Sequence, residues 1–543
     1  MLPGGGDAWK GRRRSRRKGR NATAVSDDVF YLTTPIYYVN DVPHLGHAYT
    51  TVVADFIARW RRLQGRKVHF LTGTDEHGLK IARTAEAHGV RPREWTDQIL
   101  PRWIELWDAL DISNDDFIRT TEERHEHAVQ TFMQALHDRG EIYLGTYEGL
   151  YCVGCEAFKV PEDLVDGRCP LHGTVPEVVK EDNYFFPLSK YKDRLLELYG
   201  RDPPFVLPEA RLNEVEGKVK QGLEDLSISR SSFDWGIPIP WDPSHVIYVW
   251  VEALQNYITA VGYGSDPARF GSVWPADVHF VGKDILWFHT VIWPAMLMAL
   301  DLPLPRKVFA HGYLQVGGEK MSKSKLTGIS PHDLLPTFGS DGYRYYFARE
   351  ISFGLDGNFS WESMAARYNS DLANDFGNLA SRVLTMAQRY LGGVVPIAPE
   401  PDEVTDSEAG LMEVFASSFR AMEEGVDELA PHEALRAAWA FVRKANAYVE
   451  ATTPWALAKS GDSRRLEVVL YTLLDSLRLL ALILWPIIPR AADELWRRLG
   501  NTDSVSDMNY AADARPGLIP AGSATVVGAP LFPRIDEAAA APR

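Results

Sequence analysis

Cysteine is nearly absent: three in 543 residues, an odd, sparse count that argues against a disulfide framework and fits a reducing compartment. Long apolar runs are missing too. None reaches the roughly 18–20 residues of a membrane span, and the best attempt, Leu479 to Pro489, is short and carries Pro486, so a soluble chain without a membrane partner is expected. There is no surplus of positive charge. Fifty-eight Lys and Arg against 73 Asp and Glu give a net charge of −15. The bulk field therefore repels phosphate, and a nucleic-acid partner must use a local basic face. The N-terminus lacks the apolar core of a signal peptide, and no internal repeat is visible.

What is present is ordinary globular composition, 45% hydrophobic and 24% charged, in a chain too long for one domain and long enough for three or four. Residues 1–26 hold eight Lys or Arg and a single acid, Asp7. They read as a basic disordered tail, with a transit-like segment or an upstream start codon as alternatives.

From Asp28 the pattern is strand-like (Val29 to Leu32), then a turn through Asn40–His47, then Val52, Val53, Phe56, Ile57, Trp60 and Leu63 at helical spacing up to Gly65. A second strand, Lys67 to Leu71, ends in Thr72-Gly73-Thr74-Asp75-Glu76-His77-Gly78. This is a βαβ unit, so the strands are expected to be parallel with His44, His47 and Asp75 on the carboxyl edge where ligands bind. The alternation resumes with Val246–Val249, a helical 252–260, Val278–Val281, an apolar helix over 285–300 and Val308–Tyr313. Between the halves lies an irregular stretch, about 139–244, containing every cysteine. Beyond about residue 361 amphipathic helical patterns dominate, as in a bundle. Residues 514–543, rich in Ala, Gly and Pro, read as an extended tail.

Three motifs carry chemistry. His44-Leu45-Gly46-His47 opens a helix, where imidazoles, free N–H groups and the positive dipole end suit a polyphosphate. Lys320-Met321-Ser322-Lys323-Ser324, after Gly317-Gly318, is a Gly-hinged loop whose lysines can close over phosphates. Taken singly, histidines at a helix start usually cap or pack, and a basic loop is usually a solvated one. Cys152-x2-Cys155-x13-Cys169-x2-His172 has the spacing of a closed tetrahedral zinc site, using all three cysteines and leaving no open position, so one structural ion is expected.

A His-x-Gly-His after the first strand and a Lys-Met-Ser-Lys-Ser after the last are the paired signatures of class I aminoacyl-tRNA synthetases. Over roughly 28–510 the chain resembles the bacterial type of methionyl-tRNA synthetases, through Thr34-Pro35-Ile36-Tyr37-Tyr38-Val39-Asn40, Thr72–Gly78, Ser227-Ile228-Ser229-Arg230 and Trp235-Gly236-Ile237-Pro238. The resemblance implies an α/β fold: a Rossmann-type parallel sheet split by a zinc-binding connective insertion, then a stem-contact segment and an α-helical anticodon-binding bundle. The boundaries expected are a tail over 1–26, first catalytic half 27–138, insertion 139–244, second catalytic half 245–315, stem-contact segment with the Lys-Met-Ser-Lys-Ser loop 316–372, bundle 373–513 and tail 514–543.

The resemblance also implies the reaction, methionine plus ATP to methionyl-adenylate and then transfer to the 3′ end of initiator and elongator tRNA(Met). It assigns Ile36, Tyr38, Trp250, Ala253, Tyr257, Ile285 and His289 to the methionine side chain and Asp75 to the substrate ammonium. A thioether suits aromatic walls, and a buried carboxylate suits an ammonium. For ATP it assigns His44 and His47 to the phosphates, Gly282 and Asp284 to the ribose, and Lys320 and Lys323 to the departing pyrophosphate, with Gly46 letting the base approach the backbone and Mg2+ accompanying ATP. The adenylation is an in-line displacement without a protein nucleophile, so the catalytic residues, His44, His47, Lys320 and Lys323, are transition-state stabilisers. Asn378, Arg382 and Trp455 match the positions that read the CAU anticodon. Two departures stand out: Glu252 where the family usually has Asp, and Lys-Leu-Thr-Gly after Ser324 where Lys-Gly-Asn is common. A cytoplasmic monomer is expected. The alternatives are another class I synthetase, for whose large editing domain the insertion is too short, a smaller nucleotidylyltransferase, and a silent RNA-binding paralogue.

Overall fold

Strand β1 (Phe30–Tyr38) opens the computed structural model, which describes residues 29–154, 157–159, 164–170, 172–316, 319–320 and 329–536. The basic tail 1–26 lies outside the described residues. Phe30, Tyr31, Leu32 and Thr33 are all buried, as expected of a strand covered on both faces in a parallel sheet. It is followed by helix α1 (Leu45–Leu63), β2 (Val68–Asp75), β3 (Asp116–Arg119), β4 (Val206–Leu207), β5 (Val278–Gly282) and β6 (Val308–His311). These six strands form one parallel sheet in the order β3-β2-β1-β5-β6-β4. The strand order reverses between β1 and β5, and in such sheets the ligand crevice opens outside the carboxyl ends at that point. His44, His47, Asp75 and Gly282 all follow or end strands at that edge.

Three features depart from the expected layout. The run ending at Val249 is not a strand of the main sheet: Asp242–Ile247 pairs antiparallel with Pro238–Ile239 and Ser229–Arg230 in a separate small sheet. Conversely, β4 lies inside the irregular 139–244 stretch yet pairs with β6 at the edge of the main sheet. The 285–300 segment is not one α-helix but a 3-10 turn (Lys283–Ile285), a π-helical turn (Phe288–Ile292) and an α-helix (Trp293–Ala299). The insertion also carries a four-stranded antiparallel sheet of Ala157–Lys159, Tyr143–Cys152, Glu177–Phe186 and Leu226–Ser227, in that spatial order, and two helices, Lys192–Tyr199 and Glu209–Gln221.

Helices dominate after residue 361, with long antiparallel ones at Asp406–Asp427, Pro431–Thr452 and Ser463–Leu484. Residues 514–536 are extended but packed. Ile519 and Phe532 are buried, Asp475 accepts from the Ile519 amide at 3.1 Å, and Ile535 exchanges two bonds with Asn369.

A buried ion-pair cluster fixes α1 to the rest of the chain. Asp55 on α1 meets Arg59 at 2.7 Å and Arg344 at 2.7 Å, and Ser113 donates to it. Arg344, fully buried, also donates to the carbonyls of Leu110, Pro486 and Ile487, so one guanidinium joins α1 to the turn that precedes the helix Pro489–Arg498. Burial alone would raise the Asp55 carboxyl, but Arg59 and Arg344 outweigh it and hold the group at about 2, below its ordinary 3.8. A depressed carboxylate stabilises the fold above its unfolded value and loses that contribution as pH falls through its folded one. Acidification from pH 5 to 2 is therefore expected to cost this cluster roughly 2 kcal/mol. The pH dependence of thermal unfolding over that range should be shallower in an Asp55→Asn/Arg344→Met double variant.

Candidate functional site

The N-terminus of α1 is built by its own histidines. His44 is the N-cap; the Gly46 amide donates to its Nδ1 at 3.1 Å, and the His44 amide donates to His47 Nδ1 at 3.2 Å. With each Nδ1 acting as acceptor, the neutral rings carry their protons on Nε2, the tautomer that can donate to a phosphate oxygen. The two rings stack at 3.6 Å, and His47 also packs on Tyr37 and Trp103, each at 4.9 Å. A Cβ on Gly46 would lie 3.0 Å from the His44 ring, so the motif's glycine leaves the imidazole its place. Tyr37 and Trp103 were not assigned any role from the sequence. Tyr37 stands in the Thr34–Asn40 stretch, and Trp103 lies on the apolar face of the helix Pro92–Ala109, where helical spacing marks a core residue and not a site residue.

Asp75, 2% exposed, ends β2 beside these histidines' loop, and its main-chain carbonyl accepts from the Val39 amide at 3.3 Å. The turn that follows is held from several sides. Arg119 makes a bidentate pair with buried Glu76 at 2.7 and 2.9 Å, and Thr74 and Thr121 donate to the same carboxylate. Trp235 donates its indole N–H to the Glu76 carbonyl at 2.7 Å and accepts from the Gly78 amide, which joins two of the quoted sequence stretches. A Cβ at Gly73 would sit 2.0 Å from the Ile118 carbonyl oxygen, so no side chain fits there.

The expected side-chain pocket comes from three elements. Ile36 and Tyr38 lie at the end of β1. Trp250, Ala253 and Tyr257 lie on two short helices, Val249–Leu254 and Asn256–Thr259, and Ile285 and His289 on the 3-10 and π turns after β5. Tyr257 and His289 are buried and bonded, Oη to Nε2, at 2.7 Å. The other ring nitrogen, Nδ1, lies 2.9 Å from the Ile285 carbonyl, an acceptor, so Nδ1 carries the proton and Nε2 accepts from the tyrosine. Burial lowers His289 to about 4, which keeps it neutral. Trp250 stacks on Phe288 at 4.2 Å, and the Tyr38 hydroxyl donates to the His77 carbonyl at 2.6 Å. Asp75 is among the charges that push the Tyr257 hydroxyl upward, after the larger effect of burial, so carboxylate and phenol are electrostatic neighbours. Tyr257→Phe removes one buried bond and strands a His289 nitrogen, a loss of about 1–2 kcal/mol. On the methionine site that the resemblance implies, the expected result is a rise of about 5–30-fold in KM for that amino acid, read by amino-acid-dependent pyrophosphate exchange.

At the other end of the crevice, Gly282 closes β5 and Asp284 follows, exposed. A Cβ on Gly282 would lie 2.4 Å from the Asp284 carboxylate. Between them Lys283 is clamped by both oxygens of Asp356, at 2.7 and 2.8 Å, and lies over the Tyr313 ring. Asp356 also accepts from the Tyr313 amide, so the turn after β5 is tied to the base of the strand pair Leu314–Val316 and Glu319–Lys320. The Lys320 backbone belongs to that pair; Lys323 and the rest of the Lys-Met-Ser-Lys-Ser loop lie outside the described residues.

In the insertion, Cys152, Cys169 and His172 converge: their ligand atoms all fall within 4.8 Å of one another, with His172 Nδ1 3.9 Å from Cys152 Sγ and 3.7 Å from Cys169 Sγ. Metal–sulfur and metal–nitrogen bonds of about 2.3 and 2.0 Å at tetrahedral angles place S and N about 3.6 Å apart, so the three fit zinc. The Gly173 amide donates to the Cys169 carbonyl at 2.7 Å, forming the tight turn. Cys155, the fourth expected ligand, lies outside the described residues. On the bundle, Asn378 is exposed at the start of Asn378–Leu391. Arg382 lies over the 42%-exposed Trp455 at 5.9 Å and is held by Glu450 at 2.6 Å. Arg382 and Trp455, with Tyr390 and Met386, line a shallow hollow of about 320 Å³.

Residues 30–174 and 159–384 match the family described as class I tRNA synthetases (M), and 398–542 match the anticodon binding domain of methionyl tRNA ligase. The methionine–tRNA ligase of Streptomyces coelicolor is 53% identical over 529 residues, covering 94% of this chain and 98% of its own. That of Caldanaerobacter subterraneus is 49% identical over 511 residues, covering 94% and 79%. The structure of Mycobacterium tuberculosis methionyl-tRNA synthetase in complex with methionyl-adenylate has a TM-score of 0.89 and 41% identity, covering 93% of this chain and all of that one.

Proposed function

The chain belongs to the methionyl-tRNA synthetase family, and on that premise we propose that the crevice between β1 and β5 forms methionyl-adenylate and passes the methionyl group to tRNA(Met). The observation that carries this is the convergence, at one sheet edge, of the stacked His44–His47 pair, buried Asp75 and the Tyr257–His289 pocket. Asp75 holds the ammonium as a charge-assisted pair. The pocket takes the thioether against aromatic faces, with neutral His289 fixing the Tyr257 hydroxyl. That anchoring aims the methionine carboxylate at the α-phosphorus; its oxygen attacks, and the bond to pyrophosphate breaks. Charge builds on the phosphate oxygens, where the Nε2–H donors of His44 and His47 and the end of α1 lie ready. Gly282 and Asp284 take the ribose, and Lys320 and Lys323 neutralise the leaving pyrophosphate. Mg2+ enters with ATP.

Cys152, Cys169 and His172, with Cys155 as the fourth ligand, would hold one zinc ion as a structural clamp on the insertion, which guides the acceptor end of tRNA. Arg382, Trp455 and Asn378 read the anticodon by stacking and edge contacts. A cytoplasmic monomer is part of the same reading; no helix among the described residues is long and apolar enough to cross a membrane.

Charging of a tRNA bearing CAU, and not of the same tRNA with that triplet changed, tests the whole. The zinc assignment separates its two steps. Structural zinc is worth about 10–16 kcal/mol to a small site, so metal removal or Cys169→Ser should disorder the insertion. Charging is expected to fall at least about tenfold while methionine-dependent exchange, made at the distant sheet edge, stays within about threefold. Metal analysis should give one zinc per chain.

A further inference from the structure

Beneath the amino-acid site lies a fully buried carboxylate with no assigned role. Glu252, 0% exposed, stands between two imidazoles: Oε1 is 3.0 Å from His77 Nδ1, and Oε2 is 3.0 Å from His125 Nε2. His125, itself 0% exposed, is braced on its far side by the Thr259 hydroxyl at 2.8 Å. Burial would push the Glu252 carboxyl up, but the two histidines outweigh it and hold it below its ordinary value. A buried carboxylate costs several kcal/mol unless well paired, so its retention needs a reason.

Its neighbours supply one. His77 is two residues beyond Asp75, and its carbonyl takes the Tyr38 hydroxyl. Glu252 lies between Trp250 and Ala253 on the helix Val249–Leu254. The carboxylate thus ties the turn carrying the ammonium ligand, from the first half of the sheet, to the helix carrying the side-chain pocket, from the second. His125 anchors the tie to a third element, the helix Glu123–Asp138.

We propose that Glu252 is a positioning residue that sets the separation between the ammonium and side-chain ends of the amino-acid site, and with it the preference for the length of methionine. This rests on the assignment of Asp75, Trp250 and Ala253 to methionine. Aspartate, a methylene shorter, cannot reach both imidazoles from the same helix position, and glutamine keeps the shape without the charge.

The test is pyrophosphate exchange by the full chain and by Glu252→Gln and Glu252→Asp, with methionine and with ethionine, its one-carbon-longer S-ethyl analogue. Both variants are expected to raise methionine KM about tenfold with ATP KM within about twofold, and to lower the methionine-over-ethionine ratio of kcat/KM about fivefold, since a methylene in a well-set pocket is worth about 10–200-fold. Should the Gln variant lose its cooperative thermal transition, the Asp variant carries the same readout. Should both lose it, His125→Gln does, since it loosens the anchor and leaves the Glu252–His77 contact in place. Methionine KM unchanged in a folded variant, or methionine and ATP KM rising together, would overturn the proposal. Absence of methionine-dependent exchange in the unaltered chain would instead remove the reading beneath it.

Discussion

Asp75→Asn is expected to raise methionine KM by about 10²–10⁴-fold, because removing one partner of a buried charge pair costs about 3–5 kcal/mol. The position explains the size. Asp75 is 2% exposed and ends a central strand, so water cannot take over from the lost carboxylate. The turn around it owes its shape to other contacts: the Glu76–Arg119 pair, the Trp235 clip and the close approach of Gly73 to Ile118. The Asn variant should therefore keep its fold and its ATP KM while losing methionine. Equilibrium binding of methionine, followed by calorimetry beside the exchange kinetics, checks this; a drop in thermal stability with unchanged methionine affinity would mean that Asp75 serves the fold alone.

His47→Ala carries the second large effect, and in a different parameter. A preorganised donor facing charge that develops in the transition state is worth about 10²–10³ in rate. Exchange kcat should fall by that factor with methionine KM within about threefold. The loss has a structural component, since His47 fills the space between Tyr37, Trp103 and His44 and caps the His44 amide. His47→Asn discriminates: its side-chain oxygen can accept from that amide and restore the cap, but it cannot reach as far as Nε2, so stability should recover and rate should not. Full recovery of rate by asparagine would assign His47 to capping.

The parts of this molecule that show in its sequence are those whose signal is local. The βαβ unit over 30–75 displays buried strand runs and a capped amphipathic helix, and the parallel pairing of β1 with β2 follows from their connection. The histidine motif and the Cys-x2-Cys spacing are likewise short-range. What did not show depends on distant pairing. Val206–Leu207 is two residues long, too short for any period, and joins the main sheet only because β6 offers an edge. The apolar run Val246–Val249 reads as strand-like as β5 does, and nothing local says which sheet it enters. Residues 514–536 look like a tail because Pro, Gly and Ala suppress periodicity, yet Ile519 and Phe532 are enough to seat them. Glu252 drew notice as a departure from the family's usual Asp, but its meaning needed His77 and His125, which lie 175 and 127 residues away in the chain.

The measurement that bears most directly on adenylation at this sheet edge is methionine-dependent ATP–pyrophosphate exchange by the zinc-loaded chain, with leucine, isoleucine and cysteine as controls. Exchange driven by methionine alone, and lost in His47→Ala, is the expected result. A folded, zinc-loaded sample that exchanges with no amino acid would contradict it, and leave an RNA-binding protein on a synthetase fold.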